Sequence, residues 1–299
     1  MTKDIKPKKL NLADLANKIK KQFKDDDAKA SVISTGADMN TPTDDKDFVV
    51  MPKWWQDASG TKGLPFGYLF MIAGNTDSGK TSCAISAMKA AQDQGVNVIL
   101  VDTERKSTKS RLTAWGVDPE NVARVQPQYL EEAYDGIDKW VDAIKDSDPD
   151  ARILVIFDSL GNTPANAETQ NDVDDSLQMG LAAKVNKRGL RRLIPRLTRD
   201  KIHLLIINQT YANMGSPGRT NSGGNAADYF SALTFQTSRQ KWLEKTVKGE
   251  SIRTGARVQW QIYKNHLLDE SVLIQKRVLI DITKDGMNVV GANNEEAED

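Results

Sequence analysis

The sequence has a single cysteine, no long apolar run and no excess of either charge. One thiol, Cys83, excludes an internal disulfide framework and is typical of a reducing compartment. No stretch approaches the length that crosses a bilayer, and the charged start MTKDIKPKKL lacks the apolar centre of a signal peptide. Lysine plus arginine equals aspartate plus glutamate at 41 each, so bulk charge neither requires nor excludes a nucleic-acid partner. We therefore expect a cytoplasmic globular protein.

Apolar runs typical of strands alternate with helical patterns over the middle of the chain. Strands are predicted at 68–73, 96–102, 152–158 and 203–208, and helices at 81–94, at 130–145 and over a basic stretch that ends near Arg199. This alternation predicts crossover connections and a mostly parallel central sheet flanked by helices. Beyond Asn225 the patterns at 232–245, 256–266 and 276–282 predict antiparallel edge strands. The predicted fold class is therefore α/β.

The remaining segments predict the domain organisation. Apolar residues recur at helical spacing from Leu10 to Phe23, so residues 1–30 are expected to hold an amphipathic helix. Residues 31–62 are interpreted as a linker and an irregular insertion, in which the segment Phe48–Trp55 (FVVMPKWW) is expected to form a small satellite core rather than a partner-docking site. Residues 63–290 form the predicted core, and the acidic tail 291–299 is expected to be disordered.

The segment GNTDSGKT follows a predicted strand, opens a predicted helix and matches the phosphate-loop pattern G-x-x-x-x-G-K-[ST]. In such a loop, glycines let backbone N–H groups surround phosphates, the lysine reaches the β- and γ-phosphates, and the threonine binds magnesium. The motif therefore predicts a site for ATP and Mg²⁺. The predicted ATP-binding residues here are Gly74, Asn75, Thr76, Asp77, Ser78, Gly79, Lys80, Thr81 and Ser82.

Two acidic residues are candidates for the rest of a hydrolytic site. Asp158 ends the strand RILVIFD, where it can reach the coordination shell of the metal, so Thr81 and Asp158 are the predicted magnesium residues. Glu104 lies just beyond the strand VNVILVD, at the carboxyl edge where parallel sheets bind ligands, and can polarise an attacking water. Asp102 is the competing candidate for this base, and a structural cap is the alternative for either residue.

The order of the motifs GNTDSGKT, VDTE, IFDSL, MGLAAK, IINQ and GGNA resembles the RecA recombinase family, including its phage-encoded members. The resemblance extends from about Leu10 to Ile282. It implies a RecA-like P-loop ATPase core whose ATP hydrolysis depends on DNA. It also implies a helical filament on single-stranded DNA that promotes homologous pairing and strand exchange with duplex DNA, and an amino-terminal helix that packs on the neighbouring subunit; docking on its own core is the alternative.

The same resemblance implies roles for individual residues. Gln209 corresponds to the sensor of the γ-phosphate, and Lys264 and His266 to a pair of lysines that reach the ATP of the neighbouring subunit. His266 is the weaker and pH-dependent cation of this pair. Arg111 takes the place of an aromatic residue that stacks on adenine, since a guanidinium can also stack. The residues that correspond to the two DNA-binding loops are Met179 and Gly180 in the first, and Tyr211, Gly223, Gly224 and Asn225 in the second.

The charges of the two loops depart from the family pattern. The first loop, GNTPANAETQNDVDD, is acidic, and TYANMGSPGRTN in the second offers only Arg219 as a basic residue. We therefore expect DNA contacts from the helix within residues 184–201, which has eight basic residues and one acidic residue and includes Lys184 and Arg191. The alternative is a solvated helix face with its leucines inward. Tyr211 either stacks on a base or packs at the root of its loop.

Two other functions remain open from the sequence. A hexameric motor such as a replicative helicase shares the core, but would not be expected to have MGLAA and GGNA at these places. A nucleotide-binding regulatory relative is favoured only by the acidic first loop. Single-strand-binding or loader proteins are possible further partners of a recombinase.

Overall fold

A computed structural model describes residues 11–23, 42–169, 180–212, 219–221, 224–267 and 277–290, with only the backbone described at 211, 212 and 219–221. The chain divides into two compact units, Met1–Thr43 and Asp44–Asp299. Within the described parts, no helix combines the length and the apolar character needed to cross a membrane.

In the first unit, helix α1 (Leu12–Lys20) occupies most of the region predicted to be an amphipathic helix and continues as a single 3-10 turn. Its start is fixed by Asn11, whose side-chain oxygen accepts hydrogen bonds from the backbone N–H groups of Ala13 (3.1 Å) and Asp14 (3.4 Å). Leu12, Leu15 and Ile19 stay exposed.

The second unit is built on a ten-stranded sheet. In chain order its strands are β3 (Leu69–Gly74), β4 (Asn97–Asp102), β5 (Val122–Val125), β6 (Ile153–Asp158), β7 (Ile202–Ala212), β8 (Arg219–Asn221), β9 (Ser231–Val247), β10 (Glu250–Asn265), β11 (Arg277–Thr283) and β12 (Gly286–Val289). Across the sheet the order is β12-β11-β10-β9-β3-β7-β6-β4-β5, and β8 pairs with the end of β7. Neighbouring strands are parallel over the part of the sheet with the order β9-β3-β7-β6-β4-β5. Strands β10, β11 and β12 extend the β9 edge and are antiparallel to their neighbours. The predicted α/β fold class is confirmed.

Helices cover both faces of this sheet. They are α3 (Lys80–Asp93), α4 (Lys109–Ala114), α5 (Leu130–Ser147), α6 (Asn166–Thr169), α7 (Leu181–Arg199) and α8 (Ala226–Phe230). Side chains of β3 alternate between two apolar cores: Phe70 and Ile72 pack with α3, while Leu69 and Met71 pack with α5 and α7. The predicted strands are apolar throughout because both of their faces are covered.

The segment expected to be irregular forms regular elements where the structure describes it, from residue 42 onward. Strand β1 (Phe48–Val50) pairs with β2 (Gly63–Pro65), and helix α2 (Lys53–Ser59) lies between them. Trp54 packs edge-on against Trp260 (5.5 Å between ring centroids) and Trp55 against Phe235 (5.3 Å). The satellite-core prediction is wrong, because both indoles belong to the main core beneath α3.

The glycine-rich segment after β7 is shorter than the sequence suggested. Strand β7 was predicted to end at Asn208 but continues to Ala212, and Tyr211 and Ala212 pair with Thr220 and Arg219 of β8. The extra pairing satisfies backbone groups that an irregular loop would leave to water. Strand β7 therefore extends from the core into an antiparallel pair with β8, which we call the β7–β8 hairpin.

Candidate nucleotide site

The phosphate loop joins β3 to α3 as the motif requires. Gly79 caps the helix with a left-handed backbone (φ 85°), and a Cβ there would lie 2.2 Å from Ile282 Cδ1. A Cβ on Gly74 would lie 2.2 Å from the Thr237 hydroxyl. Glycine is therefore required at Gly79 by conformation and at Gly74 by space, because a Cβ on Gly74 would also lie 2.4 Å from the backbone oxygen of Thr237.

Lys80, the first residue of α3, points into this loop. Its buried ammonium donates to the backbone carbonyls of Gly74 (3.0 Å) and Asn75 (2.6 Å). Burial lowers the pKa of Lys80, and the carboxylates of Asp158 and Glu104 oppose that shift. The loop thus holds a cation among backbone groups, an arrangement suited to a phosphate chain.

Asp158 ends β6 beside Thr81. Burial, followed by the charge of Glu104, raises the pKa of the Asp158 carboxyl to about 6, against a hydrogen bond with Thr81 that lowers it. A carboxylate and a hydroxyl are hard oxygen donors, which is the ligand type that Mg²⁺ prefers. The two residues predicted for magnesium therefore lie together and fit that ion.

Glu104 follows β4 and is surrounded by hydrogen-bond donors. Its Oε1 accepts from Ser159 Oγ (3.0 Å), Asn162 Nδ2 (2.7 Å) and Gln209 Nε2 (2.6 Å), and its Oε2 accepts from Lys106 Nζ. Burial raises the pKa of Glu104, but the hydrogen bonds from Lys106, Ser159 and Gln209 outweigh it, so the net shift is downward. Glu104 is therefore a carboxylate at neutral pH.

Asp102, the competing candidate for the base, has a different environment. Its side chain is 2% exposed and forms an ion pair with Arg124 on the neighbouring strand β5. It does not line the cleft next to the phosphate loop. The contacts thus favour Glu104 over Asp102.

These residues surround one cleft of about 350 Å³. The predicted residues that line it are Thr76, Asp77, Ser78, Gly79, Lys80, Thr81, Ser82, Glu104, Arg111, Asp158 and Gln209. Gly74 and Asn75 contribute through their carbonyls to Lys80. The sequence reasoning missed Lys106, Trp115 and Trp242, which also line the cleft. Trp115 lies four residues after Arg111, and this helical spacing was an available signal.

Lys264 and His266 lie outside the cleft of their own chain. Lys264, on β10, donates to the carbonyls of Asp228 (2.7 Å) and Tyr229 (3.2 Å) in α8, and burial lowers its pKa. The exposed His266 donates its backbone N–H to Ala232 O (2.8 Å). Neither residue is among those that line the intramolecular cleft.

The residues predicted to bind DNA lie around α7 and α8. Gly180 caps α7 with φ 90°, and Gly224 (φ 89°) approaches Ala183 so closely that a Cβ would lie 2.6 Å from the Cβ of Ala183. Asn225 caps α8. Tyr211 and Arg219 lie on the β7–β8 hairpin, while Met179 and Gly223 lie outside the described residues.

The basic helix α7 divides into two halves. Near its end, Arg196 contacts Asp138 (2.8 Å), Asp142 (2.5 Å) and Asp200 (2.7 Å), and Arg192 contacts Asp135 (2.8 Å). Up to Arg191 the helix carries basic side chains that are exposed and have no ion pair to any described acidic residue: Lys184, Lys187, Arg188 and Arg191. Leu190, Leu193 and Leu197 of this helix are buried, as the alternative of a solvated face expects, and contact between the basic residues and DNA stays a prediction.

Comparison with known proteins identifies the family. The family model of the RecA N-terminal domain matches residues 11–280. The chain is 31% identical over 211 residues to the protein RecA of Fusobacterium nucleatum (70% of this chain, 53% of the relative) and 30% identical over 216 residues to the mitochondrial DNA repair protein recA homolog 3 of Arabidopsis thaliana (70% and 48%). It is also 29% identical over 252 residues to the protein RecA of Leptospira biflexa (83% and 60%). The chain thus spans about half the length of the curated relatives it matches. It belongs to the RecA family.

Proposed function

We propose that this protein is an ATP-dependent DNA recombinase. It assembles into a helical filament on single-stranded DNA and promotes pairing and strand exchange with homologous duplex DNA. The observation that carries this proposal is the hydrogen bond between Gln209 and Glu104 (2.6 Å), because it joins the nucleotide cleft to β7, the strand that leads into the predicted DNA-binding loop. Membership of the RecA family supports the same function.

In the proposed hydrolysis, the oxygen of a water attacks the γ-phosphorus while the bond from that phosphorus to the β–γ bridging oxygen breaks. Glu104 accepts a proton from the water, and the products are ADP and inorganic phosphate. Lys80 neutralises charge on the β- and γ-phosphates. Thr81 and Asp158 would hold Mg²⁺, which supplies charge neutralisation at the phosphates when bound.

In the proposed coupling to DNA, Gln209 responds to the γ-phosphate and changes the position of the β7–β8 hairpin. Gly224 lies against Ala183 at the start of α7, and the exposed basic residues of α7 up to Arg191 add positive charge for the DNA backbone. Backbone N–H groups at glycine positions can approach phosphates closely. ATP binding and DNA binding would then stabilise each other.

The domain roles follow from the same proposal. Residues 1–30 would provide a helix that packs on the neighbouring protomer, residues 31–62 the connection, residues 63–290 the ATPase core and residues 291–299 an acidic tail. Within a filament, Lys264 would reach the ATP of the next protomer, and His266 would be a weaker second contact. ATP would therefore lie at a subunit interface.

Electron microscopy tests this proposal directly. The protein is mixed with single-stranded DNA, Mg²⁺ and a slowly hydrolysed ATP analogue, with nucleotide-free and DNA-free controls. We expect extended helical filaments that require both ligands. Closed rings would instead indicate a hexameric motor, and unassembled protomers would indicate a regulatory protein.

A steady-state ATPase assay is the companion experiment. DNA should stimulate hydrolysis by the parent protein, whereas Glu104→Gln should still bind ATP but hydrolyse it at least about a hundredfold more slowly, since general-base catalysis contributes roughly 10²–10⁴-fold. Equal rates for the two proteins, or no stimulation by DNA, would reject the enzymatic part of the proposal.

A further inference from the structure

Lys106 contacts Oε2 of the Glu104 carboxylate, whereas Gln209 contacts Oε1. Glu104 and Lys106 are separated by Arg105, whose backbone is left-handed (φ 55°), so the chain turns immediately after Glu104. Both the carboxylate and the ammonium line the nucleotide cleft. Lys106 Nζ donates to Glu104 Oε2, and it is the one cation within ion-pair distance of this carboxylate among the described residues.

This contact limits what Glu104 can do. Its Oε1 is already an acceptor for Ser159, Asn162 and Gln209, which leaves Oε2 as the oxygen available to a water. A general base needs a lone pair directed at the proton that it removes. The Lys106 ammonium occupies one of the two acceptor sites of Oε2 and lowers the pKa of the carboxylate, so Glu104 is a weaker base while this contact is in place.

The surroundings of Lys106 indicate where its charge can move. The Lys106 side chain is 65% exposed, so packing does not fix its flexible stem, whereas the Glu104 side chain is only 13% exposed. Lys106 is within electrostatic reach of Asp77 and Lys80 in the phosphate loop and of Asp158. This is the end of the cleft at which a γ-phosphate would lie.

We propose that Lys106 is a latch on the catalytic carboxylate that responds to the γ-phosphate. Without nucleotide, its ammonium holds Glu104 Oε2. A bound triphosphate offers a stronger anion nearby, so the ammonium moves to the γ-phosphate, frees Oε2 for water and adds positive charge where the phosphoryl group is transferred. A diphosphate lacks that group, so the latch stays closed. This inference rests on the proposed function only in requiring nucleotide at the phosphate loop.

Equilibrium binding of two nucleotides tests the latch. Fluorescent ADP and a fluorescent, slowly hydrolysed ATP analogue are titrated with Mg²⁺ against the full-length parent and Lys106→Met. We expect the substitution to weaken binding of the analogue about tenfold, as expected when one charge-assisted hydrogen bond is removed, and to change ADP binding less than about twofold. Lys106→Arg should keep most of the preference for the triphosphate. The matched control is Lys109→Met, which removes an equal charge from an exposed pair with Glu120 outside the cleft.

Two results would overturn the latch: an equal loss of affinity for both nucleotides, or no loss for either. If the parent binds neither nucleotide, the proposed function fails at the phosphate loop, which is a different failure. Thermal unfolding verifies that each variant is folded, and Lys106→Gln replaces Lys106→Met if the latter is not.

The pH dependence of ATP hydrolysis distinguishes the latch from a purely structural role of Lys106, because a structural role would not shift the acid limb of kcat/KM alone. The hydrogen bond from Lys106 lowers the pKa of Glu104, so Lys106→Met should shift the acid limb of kcat/KM, which reports the free enzyme, to higher pH. The acid limb of kcat reports the nucleotide complex, where the latch is already open, and should stay in place. Parallel shifts of both limbs, or of neither, would contradict the proposal.

Discussion

At the residue scale, the nucleotide site depends on one buried cation. Lys80 is 8% exposed and is held by two loop carbonyls, so its ammonium is fixed inside the phosphate loop. We expect Lys80→Ala to abolish nucleotide-dependent assembly and to weaken nucleotide binding by at least about tenfold, because the variant cannot form a charge-assisted hydrogen bond to phosphate. Sedimentation with and without the ATP analogue measures this effect. Normal assembly of the variant would remove the phosphate loop from the proposed function.

A second residue-scale prediction concerns His203, a fully buried histidine on β7. Its Nδ1 contacts the carbonyl of Leu64 (2.6 Å), while Nε2 has no hydrogen-bond partner in the described structure. Burial lowers the pKa of His203 to about 4 from a usual value of 6.5. The unfolded chain therefore binds a proton as the pH falls below about 6.5 and the folded chain does not, so this residue destabilises the fold progressively between pH 6.5 and pH 4.

Urea unfolding at several pH values measures that effect. Between pH 7.5 and pH 5 the parent should lose about 2 kcal/mol more free energy of unfolding than His203→Gln, which cannot titrate in this range. The two proteins have to be compared because Asp158 also titrates in this range. Its pKa is raised to about 6 in the folded chain, so its protonation stabilises the fold as the pH falls, opposite to the effect of His203. Identical pH profiles would mean that His203 is not buried in its neutral form.

The residues of the cleft show what was predictable at this scale. Glu104, Asp158 and Gln209 follow or end strands that the apolar pattern predicts, and parallel strands bring their carboxyl ends to one edge. The contact between Lys106 and Glu104 was not predictable, because it depends on the left-handed turn at Arg105. Sequence spacing alone does not indicate such a turn at a residue other than glycine.

At the element scale, α7 carries two groups of basic side chains, one in ion pairs with carboxylates and one without an ion pair to any described acidic residue. We expect the double substitution Lys184→Ala and Arg191→Ala to weaken binding to single-stranded DNA and to reduce the slope of log K against log salt by about 1.4, that is, roughly 0.7 for each phosphate that the protein no longer neutralises. Fluorescence anisotropy over a salt series measures the slope. Both side chains are exposed, so the free energy of unfolding should change little.

The same helix provides the matched control. Arg192→Ala also removes a basic residue, but Arg192 contacts Asp135 (2.8 Å) and Asp138 (2.9 Å) on α5. It should lower stability by up to about 1 kcal/mol and leave the salt slope unchanged, since its charge is already paired. An unchanged slope in the double variant, or an equal decrease in the control, would remove α7 from the DNA site.

The elements differ in how well the sequence predicted them. The long strands and helices of the core were predictable because their apolar residues recur with a clear period. The extension of β7 to Ala212 was not, since its partner β8 consists of three residues in a polar segment without such a period. The division of α7 was also hidden, because it depends on carboxylates of α5 that are more than fifty residues away in the chain.

At the scale of the whole molecule, the sheet places Lys264 away from the cleft of its own chain. Its ammonium holds two carbonyls at the end of α8, and its role in the proposal therefore requires a second protomer. The apolar pattern predicts the α/β architecture, whereas the role of Lys264 across a subunit interface comes only from the family resemblance and stays a prediction. The role of Lys264 has to be measured in the assembly.

Mixing two inactive variants measures it. Lys264→Ala should bind nucleotide normally but hydrolyse it slowly, and Glu104→Gln should be slow because its own cleft lacks the base. In a co-assembled filament, a cleft from the first variant that faces Lys264 of the second variant has every group in place. An equal mixture should therefore recover about a quarter of the parent rate, because half of the clefts are intact and half of their neighbours supply the lysine in a head-to-tail interface. If Lys264 only supports α8 within its own chain, each variant keeps its own low rate and the mixture has the average of the two rates. That result would reject the contact between subunits.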